Sequence, residues 1–594
     1  MASRKQLTTT EILHELEELD EKGVKDEVYI YITPPEDGNE TCEDSGDEEC
    51  NDPDRLCGWQ LQAEGDFNID IEDDPGEVDE EIKFVEESSH SKRRRKSTKT
   101  QNITRRWVSC DLTTPVYDSW CTCFIPPLAL SSSSHPLEFF ELFIDDNIIT
   151  KLVEFTNQYA AARNRCVQVS KEAMYTFLGI LFLSGCNWLP RRRMYWEEKE
   201  YVCNSLVSRS MRRNKFEDIF TNIHCADNSA LDISDRLAKL RPVICELNKN
   251  FCRFAPLEES ISTDEAMIPY FGRHGCKQFI RGKPVRFGYK AWVAALRLGD
   301  CIQFYIYQGK VEEKRVFTSS RGLGESVVMG LAEILKKNYP LLNFSLYFDN
   351  FFTSTNLIHE LTKFGYGGTG TARVNRIDNC PLQDVIVFKR NERGRYDCRV
   401  SREDNISAVR WMDNNVVKML SNQFGVEPQQ KATRYSASVK GRIEIPQPHV
   451  IAMYNRNMGG VDRMDNNISN YRIGIRGKKW YTPIFLWMMD VCMSNAWCLS
   501  RTYGMKLDSL AFRREIVISL LKKYGIPPQR AGPMSKFSPP EIIRTSGQHH
   551  IILTDQPRRR CVLCRSKTVK SCHKCCIPLH DKCFEEYHKN ISDC

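Results

Sequence analysis

The chain has no N-terminal apolar segment of secretory type and no uninterrupted apolar run of the roughly 20 residues needed to cross a bilayer. No membrane partner is therefore expected, and the chain is placed on the cytosolic and nuclear side, where thiols stay reduced. Its 25 cysteines then do not read as a disulfide framework. Core thiols, such as Cys166 and Cys492, and metal ligands are expected instead. An excess of charge of one sign is nearly missing too, since 83 Lys and Arg against 78 Asp and Glu leave only +5. That average hides an acidic N-terminal stretch set against a basic remainder, the asymmetry of a nucleic-acid partner. What is present is length: 594 residues, 41% of them hydrophobic, suffice for several domains.

From about Pro34 to Glu87 acidic residues are broken by Pro, Gly and Asn with little periodic apolar content, and 1–130 is read as a disordered acidic region. Within it, Lys92-Arg93-Arg94-Arg95-Lys96 suits a nuclear localisation signal or an electrostatic DNA arm, with a solvated charge run as the bland alternative. From Pro136 to Ala255 helical spacing takes over, as in Leu137-Phe140-Leu142-Phe143, between the basic patches Arg191-Arg192-Arg193 and Arg212-Arg213.

After Glu258 the period shortens. An extended Ser260 to Met267 is followed by a hairpin of Tyr289 to Leu298 and Cys301 to Tyr307 around Gly299-Asp300. Next come a helix from Ser326 to Lys337, a strand Phe344 to Phe348 stopping at Asp349, a helix capped by Thr353 and stopped by Gly365, and a strand Gly370 to Val374. This order describes an α/β fold, a mixed sheet flanked by helices, compatible with an RNase H-like core among others. Alternation in Val385 to Phe388, Tyr396 to Val400, and Ala408 to Trp411 opposite Val416 to Leu420 suggests a β-rich insertion over 375–448. A helix opening at Thr482, with Pro483 in its first turn, is apolar almost all round and expected to be buried.

Three acids fall where such a fold could gather them: Asp264 inside the first strand, Asp349 at the end of a later one, and Asp462 opening a helix. Carboxylates are the hard ligands that hold a pair of Mg²⁺ (or Mn²⁺) ions during phosphodiester cleavage. The bland readings are an edge-strand carboxylate for Asp264, a turn or capping residue for Asp349, and a dipole-compensating acid for Asp462. Asp465 lies three residues on, on the same helix face.

Several segments together resemble the piggyBac transposase family. They are Pro190-Arg191-Arg192-Arg193-Met194, Pro269-Tyr270-Phe271-Gly272-Arg273-His274-Gly275, Arg281-Gly282-Lys283-Pro284, Asp349-Asn350-Phe351-Phe352-Thr353, Gly459-Gly460-Val461-Asp462 and Arg476-Gly477-Lys478-Lys479-Trp480. The resemblance, from about Glu138 onward, implies an RNase H-like (retroviral integrase-like) core over 258–374 and 449–475, interrupted by the insertion. It implies helical DNA-binding and dimerisation parts over 131–257 and 476–540. Asp264, Asp349 and Asp462 match the family's catalytic aspartates, each with a share in two metal ions per site, and Asp465 matches a supporting acid. Cut-and-paste transposition at TTAA sites follows, in which the freed 3′ hydroxyl forms a hairpin and the opened end attacks target DNA. The implied partners are transposon terminal repeats and TTAA target DNA, a second copy of the chain in a homodimer on DNA, and chromatin. A nuclear location is expected. The other reading is a domesticated sequence-specific DNA-binding or chromatin protein that keeps the fold without transposing.

The tail, 541–594, carries Cys561-x2-Cys564, Cys572-x2-Cys575, His580-x2-Cys583 and His588, ending at Cys594. Paired soft ligands at this spacing point to two Zn²⁺ ions in a cross-brace, folding a segment too short for its own core. Cys561, Cys564, His580 and Cys583 are assigned to one ion, and Cys572, Cys575, His588 and Cys594 to the other. RING and plant-homeodomain modules share such patterns, so a ubiquitin ligase or histone reader is the rival reading, whereas the resemblance implies binding to transposon-end DNA. Arg281, Lys283, Arg286 and Lys290, with Arg476, Lys478, Lys479 and Trp480, combine phosphate-pairing cations with a ring able to stack on a base. For Trp480 a core position is the alternative.

Overall fold

The structure is a computed structural model. It describes the backbone of strands at 7–8, 28–32 and 64–69, then 105–112, 129–270, 272, 274–280, 285, 287–309, 322–436, 439–527 and 550–589. The chain divides into two compact units, Met1–Pro527 and Pro528–Cys594.

The first unit is mixed α/β. Its strands β1 (Leu7–Thr8), β2 (Val28–Ile32), β3 (Glu64–Ile69) and β4 (Trp107–Val108) precede six helices, α1 (Pro136–Phe143), α2 (Asp146–Ala162), α3 (Lys171–Cys186), α4 (Ser205–Ser210), α5 (Arg213–Asn222) and α6 (Arg241–Phe254). The first three start where side chains satisfy orphan amides: a His135/Glu138 capping box, Asp145 accepting from Ile148, and Ser170 accepting from Ala173. Then follow β5 (Ser260–Pro269), β6 (Gln278–Ile280), β7 (Phe287–Leu296), β8 (Cys301–Ile306), α7 (Leu323–Asn338), β9 (Ser345–Phe348), α8 (Thr355–Phe364) and β10 (Gly367–Thr371). The remainder is α9 (Val385–Lys389), β11 (Tyr396–Ser401), β12 (Ser407–Met412), β13 (Val416–Ser421), β14 (Gln430–Ser436), β15 (Gly441–Gln447), α10 (His449–Asn457), α11 (Gly460–Asn470), α12 (Thr482–Thr502) and α13 (Ser509–Lys523).

One sheet of 13 strands runs through the unit in the order β1-β3-β2-β6-β7-β5-β9-β10-β13-β12-β11-β4, with β8 also on β7. Among the described strands only β5 with β9 and β9 with β10 pair in parallel. Strand β7 is buried along its whole length and splits its side chains by the two-residue period. Ala291, Val293 and Ala295 enter one core, with α1, α3, α12 and α13. Trp292, Ala294 and Leu296 enter another, with α7, α8, Leu346 and Phe348. Burying each large apolar side chain contributes about 1.5–3 kcal/mol, so the sheet is held from both faces. The helices before and after the sheet share the first core, and there the buried Arg513 pairs with Asp490 at 2.7 Å.

Several expectations are corrected. Val385–Lys389 is a helix, because Asp384 caps the amides of Ile386 and Val387. Ser354, not Thr353, caps α8, while the Thr353 hydroxyl donates to the Asp349 carbonyl at 2.7 Å. The strand expected at Gly370 to Val374 is Gly367–Thr371, drawn back by parallel pairing to β9. Strands β11 to β13 extend the main sheet through β10 instead of standing apart, and only β14 and β15 form a separate ladder. Cys166 is exposed, whereas Cys492 is buried as expected. Within the region read as disordered, β2 pairs with β3 and β6, and β4 with β11, so the reading fails at those strands. The basic run at 92–96 lies outside the described residues.

The second unit holds β16 (Ile552–Leu553), β17 (Arg559–Arg560), β18 (Lys567–Thr568), β19 (Ser571–Cys572) and α14 (Asp581–His588). Its core is small, with Ile577, Leu579 and Tyr587 around three buried cysteines.

Candidate functional site

Parallel pairing of β5 and β9 fixes the first two acids. The register ends at Thr263 opposite Phe348, so Asp264 and Asp349 are the next residue on each of two adjacent strands. Asp264 Oδ1 accepts from the Glu265 amide at 2.8 Å, and Asp349 Oδ1 from the Phe351 amide at 2.9 Å. Burial and then the charge of Glu265 push the Asp349 carboxyl up to about 6, against the Phe351 amide, Lys290 and Arg373, which favour its anion. The third acid arrives by a close helix approach. A Cβ on Gly460 would lie 2.4 Å from Ser262 Oγ and 2.5 Å from the Leu296 carbonyl, so only glycine lets the start of α11 rest on β5 and β7. Asp462 then stands exposed on the first turn of α11.

All three carboxylates act on one hydroxyl. Tyr454, on α10, is raised above its ordinary range by burial first and then by Asp349, Asp264 and Asp462, with Thr371 opposing. Asp465, half-buried on α11 with Asp462, adds its charge to that of Asp300 beside the buried Cys301. Neither Tyr454 nor Glu265 was singled out from sequence. Glu265 follows Asp264 directly, so it faces the opposite side of the strand.

On that side Glu265 meets Lys290 at 2.5 Å; Lys290 is fully buried, with its ammonium 4.0 Å from the Trp292 ring centroid. Lys290 is therefore corrected from a DNA contact to an internal cation. Trp480 is corrected likewise: it is buried and stacks on His274 at 4.1 Å. The Lys479 ammonium is turned inward, 4.9 Å from the Tyr159 ring and 5.4 Å from that of Tyr481. Arg476 and Lys478 are exposed. Arg281, Lys283 and Arg286 lie outside the described residues.

Two Cys/His groups, both in the second unit, have all their ligand atoms within 4.8 Å of one another; among the described residues the three aspartates form no such closed group. Cys561, Cys564, His580 and Cys583 assemble as expected. Cys572, Cys575 and His588 are joined by His550, not Cys594, which lies outside the described residues. The missed signal was a histidine placed before the first cysteine pair, where the chain enters the module along β16. His580 turns Nδ1 to Cys564 at 3.3 Å and Nε2 to the Lys567 carbonyl at 3.1 Å. His588 turns Nε2 to Cys575 at 3.5 Å and Nδ1 to the Phe584 carbonyl at 2.7 Å. A carbonyl on one ring nitrogen leaves the other free to bind a metal. The two sets interleave along the chain, so each could hold an ion that ties several loops together.

The chain resembles known proteins in sequence and in fold. A family model described as Transposase IS4 matches residues 135–497. The human PiggyBac transposable element-derived protein 3 is 40% identical, over 97% of this chain and 99% of that protein. The human PiggyBac transposable element-derived protein 2 is 37% identical, over 94% of this chain and 93% of that protein. A cryo-EM structure of the piggyBac transposase synaptic complex with hairpin DNA covers 74% of this chain and 97% of its own, with TM-score 0.55 and 18% identity, a likeness of fold. The chain belongs to the piggyBac transposase family, alongside the PiggyBac transposable element-derived proteins.

Proposed function

We propose that this protein is a nuclear DNA transposase that excises and reinserts DNA at TTAA sites by cutting phosphodiester bonds and rejoining them through hairpin intermediates. The observation that carries the reading is the juxtaposition of Asp264, inside β5, with Asp349, just past β9, where the parallel pairing of the two strands stops, with Asp462 brought in at Gly460. In this reading the sheet that carries Asp264 and Asp349 is an RNase H-like core. Their oxygens suit hard divalent cations, and the open grouping leaves room for substrate oxygens as further ligands. Two Mg²⁺ or Mn²⁺ ions held by Asp264, Asp349 and Asp462 would relieve charge on the attacking and leaving oxygens.

The remaining tasks fall to the chain itself. Asp264 and Asp349 are fixed by backbone amides and Asp462 by the seating of α11, which sets the geometry without reorganisation at the moment of reaction. Asp465, on α11 with Asp462, is the supporting acid. Exposed Arg476 and Lys478 pair with DNA phosphates, and basic residues at 92–96 direct the chain to the nucleus. The Cys/His sets suit two Zn²⁺ ions, whose role is to fold the second unit for contact with terminal-repeat DNA. Two ends must be processed, so a homodimer on DNA is the working form. The relatives are named as transposable element-derived proteins, which supports a second reading, selective binding of genomic DNA or chromatin without cleavage.

An excision assay in cells, with a donor plasmid carrying the element's own terminal repeats, separates the two. The intact protein is expected to restore TTAA, and Asp349→Ala to lower excision by at least about 100-fold. Binding of the same repeats without excision by the intact protein would refute the transposase reading.

A further inference from the structure

The ladder of β14 and β15 presents two unlike faces. Ala432 with Ile445 and Arg434 with Ile443 face inward, while Lys431 with Pro446, Thr433 with Glu444 and Tyr435 with Arg442 face outward. The inward arginine is neutralised, since Arg434 Nε meets Asp413 at 2.8 Å and Arg393 meets the same carboxylate at 2.8 Å. Arg393 also donates to the Tyr435 carbonyl at 3.1 Å, so the tip is braced from beneath. Near the base of the outer face Lys431 pairs with Glu444 at 2.8 Å. At the tip this compensation stops. Tyr435 is 65% exposed and sits directly across from exposed Arg442, with exposed Lys440 in the turn, and neither cation forms an ion pair among the described residues. A ring and two unneutralised cations gathered on one exposed edge offer a partner both a stacking face and positive charge.

We infer that this tip is a DNA contact in which Tyr435 stacks on an unpaired base while Arg442 and Lys440 pair with the phosphates beside it. The inference rests on the DNA-processing reading above. A nucleic-acid strand is the partner that supplies both a π-face and regular negative charge, and a two-stranded ribbon is narrow enough for a DNA groove. The base of the hairpin is joined through Pro448 to α10, the helix that carries Tyr454 among the three aspartates. Tyr435 stands about 17 Å of strand beyond Gln447 by the usual rise per residue, a distance of about five base-pair steps. A reach of that length spans the few nucleotides next to the cutting point, where hairpin formation leaves bases unpaired.

The test uses the full-length protein and two DNAs carrying 2-aminopurine, one with the probe unpaired in a hairpin end and one with it paired in a blunt duplex. On the hairpin end, the intact protein should quench the probe. Tyr435→Ala should restore emission and weaken binding about tenfold, while leaving the blunt duplex unchanged. Tyr435→Phe should behave as the intact protein, and Arg442→Ala should lower the salt dependence of binding. The ring is exposed, so unchanged thermal melting of Tyr435→Ala shows that the fold is kept. Equal affinity and emission for Tyr435→Ala and the intact protein would overturn the inference while leaving the DNA-processing reading intact, as would equal weakening on both DNAs. Failure of the intact protein to bind either DNA would overturn both.

Discussion

Asp300 closes the hairpin between β7 and β8, its carbonyl accepting from the Leu296 amide at 2.9 Å, yet its carboxyl is carried inside, 4% exposed. Its Oδ1 is buried without a hydrogen-bond partner. Burial first, and then the charge of Glu258, push this acid from 3.8 up to about 7, with Arg501 opposing. The folded state therefore binds more protons than the unfolded chain between these two values. The associated stability is fully present below about pH 4 and is lost as pH rises through about 7, by on the order of 4 kcal/mol. Asp300→Asn keeps the shape and removes the titration. Between pH 5 and pH 8 the melting temperature of the unaltered protein should fall further than that of the variant, and at pH 8 the variant should be the more stable. Parallel melting curves across that range would show that Asp300 is not the titrating group.

At the scale of elements, the decisive contact is the start of α11 on β5 and β7. An alanine at Gly460 would put its methyl into the Leu296 carbonyl at 2.5 Å and the Ala295 carbonyl at 3.1 Å, and backbone atoms cannot swing aside. Gly460→Ala is expected to cost about 1–3 kcal/mol of stability by overpacking. It should cost much more in excision, because displacing Asp462 by about 1 Å is enough for a loss on the order of 100-fold. Excision at the unaltered rate by a folded Gly460→Ala protein would show that the seating of α11 does not position Asp462. Much at this scale was legible in the sequence. The hairpin at Gly299-Asp300, the strand ending at Asp349 and the buried helix from Thr482 all follow from local periodicity and turn chemistry. Local patterns do not carry partners, however. Val385 to Phe388 alternates like a strand, but one Asp384 carboxylate capping two amides makes it a helix. Lys290 reads as a surface cation until Glu265, two ladder positions away, draws it inside. Trp480 reads as a free ring until His274, 206 residues earlier, stacks on it.

For the molecule as a whole, the division into two units gives metal removal a local effect. Among the described residues, the first unit has extensive apolar cores and none of the Cys/His groups, whereas the second has a few buried side chains around two such groups. Binding free energy at a structural metal site is folding free energy, on the order of 10 kcal/mol per ion. A strong chelator should therefore unfold residues 550–589, seen as rapid amide exchange there, while exchange in β5, β7 and β9 stays slow. His550 as a ligand gives a second outcome. Of the eight assigned ligands only His550 precedes the first cysteine pair, and it completes the set with Cys572, Cys575 and His588. His550→Ala should leave one zinc per chain by metal analysis and loosen β16 against β19, whereas Cys594→Ala should retain two. Retention of two by His550→Ala and loss of one by Cys594→Ala would reverse the assignment. With the ligands interleaved, loss of one ion also loosens loops around the other, so terminal-repeat binding by His550→Ala should fall by more than salt-dependent charge loss alone would give.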